Sequence, residues 1–246
     1  MTNYPPIEFK RNAVDPIACL KGGWELVKDQ YWLFVGMCAV GMIIASVVPL
    51  GIMMGPMMCG IYLTFFKNRK GQPIEFGTLF KGFDYFGQSV IAALLHIVPI
   101  LLIFIPSYVI FYAIFLVTML GQRGDPNPGS MLAFFGIFFV YWFIMVVIIM
   151  VISIAFTFAY PLIVDRGLSG VDAVKLSFRA AMANFWRLLG LSLLSAVLGF
   201  AGVILCYVGV FLVIPITLAA VAVAYEQVFG LGEPASNLPP PPPTFN

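Results

Sequence analysis

The apolar positions of this 246-residue chain gather into long blocks, separated by short breaks marked by proline, glycine or charge. About 20 helical residues cross the hydrocarbon core of a bilayer, so the blocks predict membrane-spanning helices. Six are expected: about Tyr31 to Val48, Ile52 to Phe66, Gln88 to Leu120, Met131 to Tyr160, Leu188 to Cys206 and Phe211 to Val228. Pro49 and Gly51 mark a tight reversal after the first, and Gly209 one before the last. The second block is short for a bilayer. The third and fourth are long enough to tilt, kink or project. The third holds Pro99 and Pro106, the fourth is expected to stop at Pro161, and the sixth contains Pro215.

A finer pattern precedes two of the blocks. Ile17, Leu20, Trp24, Val27 and Tyr31 follow a spacing of three, four, three and four, which is one face of a helix. Val171, Val174, Phe178, Ala181 and Phe185 repeat it, each displaced by 154 positions. The same offset relates Lys21 to Lys175, Trp32 to Trp186 and Gly36 to Gly190, and an offset of 159 relates Pro56 to Pro215. Each copy reads as an amphipathic helix on the cytoplasmic surface, followed by a two-span hairpin. Trp24, Tyr31, Trp32, Phe185 and Trp186 are the expected interfacial anchors, because such rings favour the headgroup region. The stretch Phe76 to Phe86, with Leu79, Phe80, Phe83 and Phe86 on a rough face, reads as a degenerate middle copy. Both clear copies start on the same side, so the repeat is parallel. The alternative is chance, since any in–out hairpin with an aromatic belt shows part of this pattern.

Charge sets the orientation. Lys10, Arg11, Lys21 and Lys28 precede the first span; Lys67, Arg69, Lys70 and Lys81 follow the second; Arg166, Lys175, Arg179 and Arg187 follow the fourth. Only Arg123 falls on the other side, so twelve of the thirteen basic residues share one side of a six-span arrangement. The positive-inside rule makes that side cytoplasmic, with both termini there.

Composition agrees. Charged residues make up 10% and hydrophobic ones 61%, against about 25% charged in soluble domains. The fold class is therefore an all-α polytopic membrane protein. Residues 1–14 are expected as an N-terminal cytoplasmic segment, 15–232 as a six-span domain and 233–246 as a proline-rich cytoplasmic tail. Met1 to Val14 has no apolar core with a small-residue cleavage site, so the first span is expected to be its own insertion signal. The tail, EPASNLPPPPPTFN, favours polyproline II. It reads either as a disordered end or as a docking segment for an aromatic-lined groove. A net charge of +2 gives no reason to expect nucleic acid as a partner.

Candidate chemistry is sparse. Cys19, Cys38, Cys59 and Cys206 form no CxxC pair and read as small buried hydrophobes. No Asp, Glu, Lys or Arg lies well inside a span, which weakens a proton-driven carrier. His96, the single histidine, is either satisfied by a carbonyl or serine, or responds to protons or a ligand. Pro99 and Pro106 either kink their helix or line a cavity. Gly190, Ser192, Ser195, Gly199 and Gly202 suit close helix packing better than a pore lining. Arg166 and Glu226 are expected as a cytoplasmic ion pair, with two unlinked solvated charges as the alternative. Asp84, Asp165 and Glu226 are the only candidate carboxylates for chemistry near the headgroups and have no clustered spacing. No nucleophile–base set, phosphate loop or metal motif stands out, so neither catalysis nor a cofactor is expected.

The stretch YPLIVDRGLSGVDAVKLSFRAAMANFWRLLGLSLL, Tyr160 to Leu194, continuing to AYEQVFG, resembles a group of uncharacterised bacterial six-span membrane proteins. These are related to the membrane domain in front of some glycerophosphodiester phosphodiesterases. GIYLTFFKNRKGQPIEFGTLFKGF, Gly60 to Phe83, is similar in style to the group's first cytoplasmic loop. The resemblance implies a bacterial inner membrane and six spans. It brings no catalytic residues, because the phosphodiesterase domain is missing. The expected role is a scaffold or accessory subunit whose partners are membrane lipids and proteins, or further copies of itself, at the cytoplasmic face. The rivals are a channel or passive carrier for a small or amphipathic solute and, more weakly, lipid binding at the cytoplasmic leaflet.

Overall fold

The computed structural model describes residues 7–47, 52–121, 128–204 and 208–231. Pro49, Gly51, Arg123, Cys206 and the tail from Glu233 lie outside them. The described residues are mostly helical, without strands. The helices are α1 (Pro16–Val27), α2 (Tyr31–Val47), α3 (Met54–Arg69), α4 (Phe86–Gly121), α5 (Pro128–Ala155), α6 (Ala159–Arg166), α7 (Gly170–Ala183), α8 (Phe185–Ile204) and α9 (Val208–Phe229). A 3-10 segment, Phe76–Tyr85, leads into α4. Five stretches of described residues are long and apolar enough to cross a membrane. The expected second span, α3, is not among them. Its 16 residues rise only about 24 Å and end in Lys67 and Arg69.

The expected end of the fourth span at Pro161 needs correcting. The chain breaks earlier, at residues 156–158, and Pro161 sits in the first turn of α6. A first-turn N–H has no helical partner, so proline costs nothing there. The break is held by Ser177, a buried residue of α7. Its hydroxyl donates to the Ala155 carbonyl at 2.8 Å and accepts from the Phe158 N–H at 3.1 Å. Non-helical backbone at membrane depth persists only where protein or a cavity satisfies it.

The amphipathic segments have two distinct faces. On α1, Cys19, Gly23, Leu26 and Val27 are buried, while Ile17 and Trp24 are exposed. At the offset of 154, Ala173, Ser177, Ala180 and Ala181 of α7 are buried, and Val171 and Phe178 are exposed. The N-caps obey the same offset. Asp15 accepts from the N–H groups of Ile17 and Ala18, and Ser169 from that of Asp172. The middle copy repeats the device. Thr78, Leu79 and Gly82 are buried, whereas Phe76, Phe80, Phe83 and Phe86 are exposed. Its cap is a capping box between Glu75 and Thr78.

Each segment runs back along a helix. The 3-10 segment docks on α3 just before it, and α7 on the α5–α6 break and on the start of α4, where the Gly170 N–H donates to Gln88 Oε1 at 2.7 Å. The third pair is made by α1 and α9, which joins the beginning of the described chain to its end. The Asp15 N–H and the Cys19 thiol reach Gln227 Oε1 at 2.9 and 3.3 Å, while the Tyr31 hydroxyl donates to the Leu212 carbonyl at 2.6 Å. Close approach needs small residues here. A Cβ on Gly23 would stand 2.8 Å from the Ile216 carbonyl oxygen, and one on Gly82 would meet that of Pro56. The three helices α3, α6 and α9 also end alike, in Gly71, Gly167 and Gly230, each with a positive φ.

Around this base stands a longer pair. Ser89 already lies against Gly55, the second residue of α3. About 48 Å of α4 therefore continues past the start of α3. α4 has 36 residues and α5 has 28, against 16 to 22 in α2, α3, α8 and α9.

Candidate functional site at the charged end of the bundle

The ends of α3, α6 and α9 converge on an aromatic layer. Phe66 and Tyr225 have ring centroids 5.5 Å apart, Tyr225 and Phe229 5.1 Å, and Phe158 and Phe229 5.6 Å. Charges sit over this layer. The Asp165 side chain, 2% exposed, accepts from the Tyr225 hydroxyl at 2.8 Å. Its carboxylate lies 3.1 Å from Arg166 Nε and 4.0 Å from Lys70 Nζ. Glu226, 14% exposed, takes Arg69 Nε at 3.1 Å. Two carboxylates and three cations thus tie three helices together. Cutting one member out would leave a charge uncompensated at low dielectric.

The expected Arg166–Glu226 pair is not the one that forms. Glu226 lies about one turn before the end of α9 and takes Arg69 of α3. Arg166, the last residue of α6, reaches instead to the end of α9. Its guanidinium donates to the carbonyls of Phe229 and Gly230, both at 3.2 Å. A cation suits a helix C-terminus, where carbonyls lack helical partners. Asp165, named only as an isolated carboxylate, is the hub.

Residues 7–15 strap across this end. The Lys10 N–H donates to the Val228 carbonyl at 2.9 Å. Buried Asn184 accepts from the Ala13 N–H at 2.9 Å and donates to the carbonyls of Lys10 and Ala180. Arg187 donates to the Val14 carbonyl at 3.2 Å. The sequence gives no hint of Asn184's role, because a lone asparagine between two helices reads as a turn.

The anchor residues form two clusters. Trp24, Tyr31 and Trp32 touch edge to face, with centroids 5.5 and 5.6 Å apart, and Phe185 meets Trp186 at 5.5 Å. Trp32 is 75% exposed and Trp186 79%, so each tryptophan points outward. Three described cysteines, Cys19, Cys38 and Cys59, are buried and unpaired.

His96 stands where the long pair leaves the base. Its ring stacks on Phe156 at 4.6 Å, and Nε2 lies 3.4 Å from the Ser153 hydroxyl. His96 thus has the serine neighbour that the satisfied reading calls for. α4 stays helical through Pro99 and Pro106, which each remove one backbone donor. Behind Ser153 opens a cleft of about 300 Å³ between α5, α8 and α9. Ser153, Thr157, Ser192, Ser195 and Thr217 contribute hydroxyls to an otherwise apolar lining. This divides the small residues of α8. Gly202 packs tightly on Gly209, and Gly190 lies against Pro16. Ser192 and Ser195, for which packing was favoured over a pore lining, line the cleft.

No protein-family model, no curated protein and no solved structure matches this chain.

Proposed function

We propose that the chain is a six-span protein of a bacterial inner membrane, with both termini cytoplasmic, acting as a scaffold or accessory subunit rather than an enzyme. The charged end carries the basic residues, which supports placing it in the cytoplasm. In this reading α3 is the sixth crossing, short because its partners shield it. Its side chains from Gly55 to Phe66 are mostly buried.

One observation carries the scaffold reading. Beyond His96, α4 and α5 touch mainly through an aromatic stripe, while their other sides carry large exposed apolar side chains such as Leu102, Val109, Val117, Leu132, Phe139 and Phe143. Exposed Gly136 has nothing within 4 Å of where a Cβ would stand. Small residues let neighbouring membrane helices approach closely, and large apolar ones fill the gaps between them. The long pair therefore offers a surface to another membrane helix, and the tied base holds it in place.

Purification of the tagged full chain in mild detergent tests this. A defined membrane partner or second copy should co-elute, and Gly136→Leu should release it without lowering the yield of folded protein. Recovery of the chain alone and monomeric, with and without its tail, would overturn the reading.

A further inference from the structure

The amphipathic helix α7 has no part in the α4–α5 scaffold surface. Each of its ends is fixed at the start of a candidate span. Its first residue, Gly170, donates its N–H to Gln88 Oε1 at 2.7 Å, in the first turn of α4. Its C-cap, Asn184, directly precedes α8. Both α4 and α8 belong to stretches long and apolar enough to cross a bilayer. α7 therefore runs from one span entry to another, which places it at the level of the headgroups.

One face of α7 is taken up by the protein, where Ala173, Ser177, Ala180 and Ala181 are buried. The opposite face carries a mixed set. Val171, Phe178 and Met182 are exposed there, and so are Lys175 and Arg179, one helical turn apart. At about 100° per residue these five side chains share an arc of about 100°. Neither cation forms an ion pair among the described residues. The acidic residue of the helix, Asp172, takes the Ser169 hydroxyl at 2.6 Å instead. Water would leave three apolar side chains wet, and hydrocarbon would strand two cations. The headgroup boundary accepts both, with the apolar side chains dipping towards the acyl chains and the cations reaching for phosphate.

The repeat singles out this copy. Lys21 stands at the place of Lys175 and Trp24 at that of Phe178, but Glu25 stands at the place of Arg179. Glu25 pairs with Lys28, and Asp29 follows, so the charges of Lys21, Glu25, Lys28 and Asp29 cancel. In the middle copy Asp84 offsets Lys81. α7 keeps two cations against Asp172.

We infer that the exposed face of α7 binds the phosphate of an anionic phospholipid of the cytoplasmic leaflet. Lys175 and Arg179 hold the phosphate, and Phe178 and Met182 meet the upper acyl chains. The site is separate from the α4–α5 surface, so it stands or falls independently of a partner there.

The test uses the full chain in phosphatidylcholine vesicles holding a fixed fraction of one brominated lipid. That lipid is phosphatidylglycerol or phosphatidylcholine with the same acyl chains, and bromine quenches tryptophan fluorescence on contact. Each chain keeps one tryptophan, either introduced by Phe178→Trp or retained at Trp24, with the others changed to Phe. A basic residue near an anionic surface contributes about 1 kcal/mol, which is about fivefold in occupancy. Brominated phosphatidylglycerol should therefore be enriched at position 178 by at least about fivefold over brominated phosphatidylcholine. At Trp24 the two lipids should agree within about twofold, and Arg179→Glu should bring position 178 down to that level. Should the tryptophan at position 178 prevent folding, Trp186 at the start of α8 serves as the reporter. Equal quenching by the two lipids beside α7 would leave its face to an acidic protein partner and would overturn the proposal. A preference of equal size at Trp24 would mean general surface attraction and would overturn it too. So would a preference that survives Arg179→Glu.

Discussion

The tied base and the long α4–α5 pair are both built from apolar helices, yet they are held by different means. In the base, small residues let backbones meet. Gly23 lies against Ile216 and Ala220, Gly82 against Pro56 and Gly60, and Ser177 bonds into the broken helix. Over these contacts sits a set of charges gathered on the carboxylates of Asp165 and Glu226, 2% and 14% exposed. The long pair has neither. Phe104, Phe111, Phe115, Phe134, Phe138 and Trp142 interleave along one stripe, and its polar contact at mid-length is Ser107 beside the Tyr141 hydroxyl at 3.2 Å. Inside a bilayer apolar side chains gain little by leaving lipid, so helices associate through close packing and polar contacts. The base has both means of association, and the long pair relies on ring packing.

The sharpest way to break this contrast is at Asp165. Asp165→Asn leaves Arg166 and Lys70 without their shared carboxylate, whose side chain is 2% exposed. Removing one partner of a buried pair costs about 3–5 kcal/mol. Thermal unfolding in detergent should show a loss of that size. A loss under about 1 kcal/mol would mean that water reaches the cluster and that the ring packing alone carries the base.

A change of shape rather than charge gives the next effect. Gly23→Val places a side chain where the Ile216 carbonyl stands and must push α1 from α9. Overpacking of this kind costs about 1–3 kcal/mol or more. The matched change in the long pair, Gly136→Val, meets open space and should leave the isolated chain's unfolding temperature unchanged. Equal effects at the two sites would erase the distinction between the regions.

These glycines show what could and could not be read from the residue order. The amphipathic faces were legible because a period of 3.6 residues leaves a mark in one dimension. The offset of 154 went further, since it matches buried with buried and cap with cap. The pairing partner was not legible. The hairpin reading left open what each amphipathic segment packs on; the structure docks the 3-10 segment on α3, α7 on α4 and the α5–α6 break, and α1 on α9, the last described helix. Which backbone lies behind Gly23 depends on a contact about 190 residues away, and no local pattern encodes that. The charges failed for a related reason. Arg166 and Glu226 do meet at one end of the bundle, but a difference of one helical turn sends Arg166 to the carbonyls of α9 and Arg69 to Glu226.

Asn184 offers a local probe of the base. Asn184→Ala removes the acceptor of the Ala13 N–H and two side-chain donor bonds. Buried groups left unpaired cost about 1–3 kcal/mol. Hydrogen exchange should show faster exchange of the Ala13 amide, with α4 and α5 unaffected. Unchanged protection at Ala13 would mean that the strap is held by its other bonds, from Lys10 to Val228, Arg187 to Val14 and Asp15 to Gln227.

The smallest effect belongs to the long pair. Ser107→Ala removes the contact with Tyr141, but the Ser107 hydroxyl also bonds to its own helix at the Phe104 carbonyl. Its loss therefore strands no charge and no backbone group. Hydrogen bonds between membrane helices average about 0.6 kcal/mol in double-mutant cycles. A cycle with Tyr141→Phe, read by unfolding in detergent, should give a coupling energy of that order. The aromatic stripe would then account for most of what keeps α4 beside α5. A coupling above about 2 kcal/mol would reverse the comparison. The long pair would then hang on one polar contact, and it would be a poor surface on which to seat a partner.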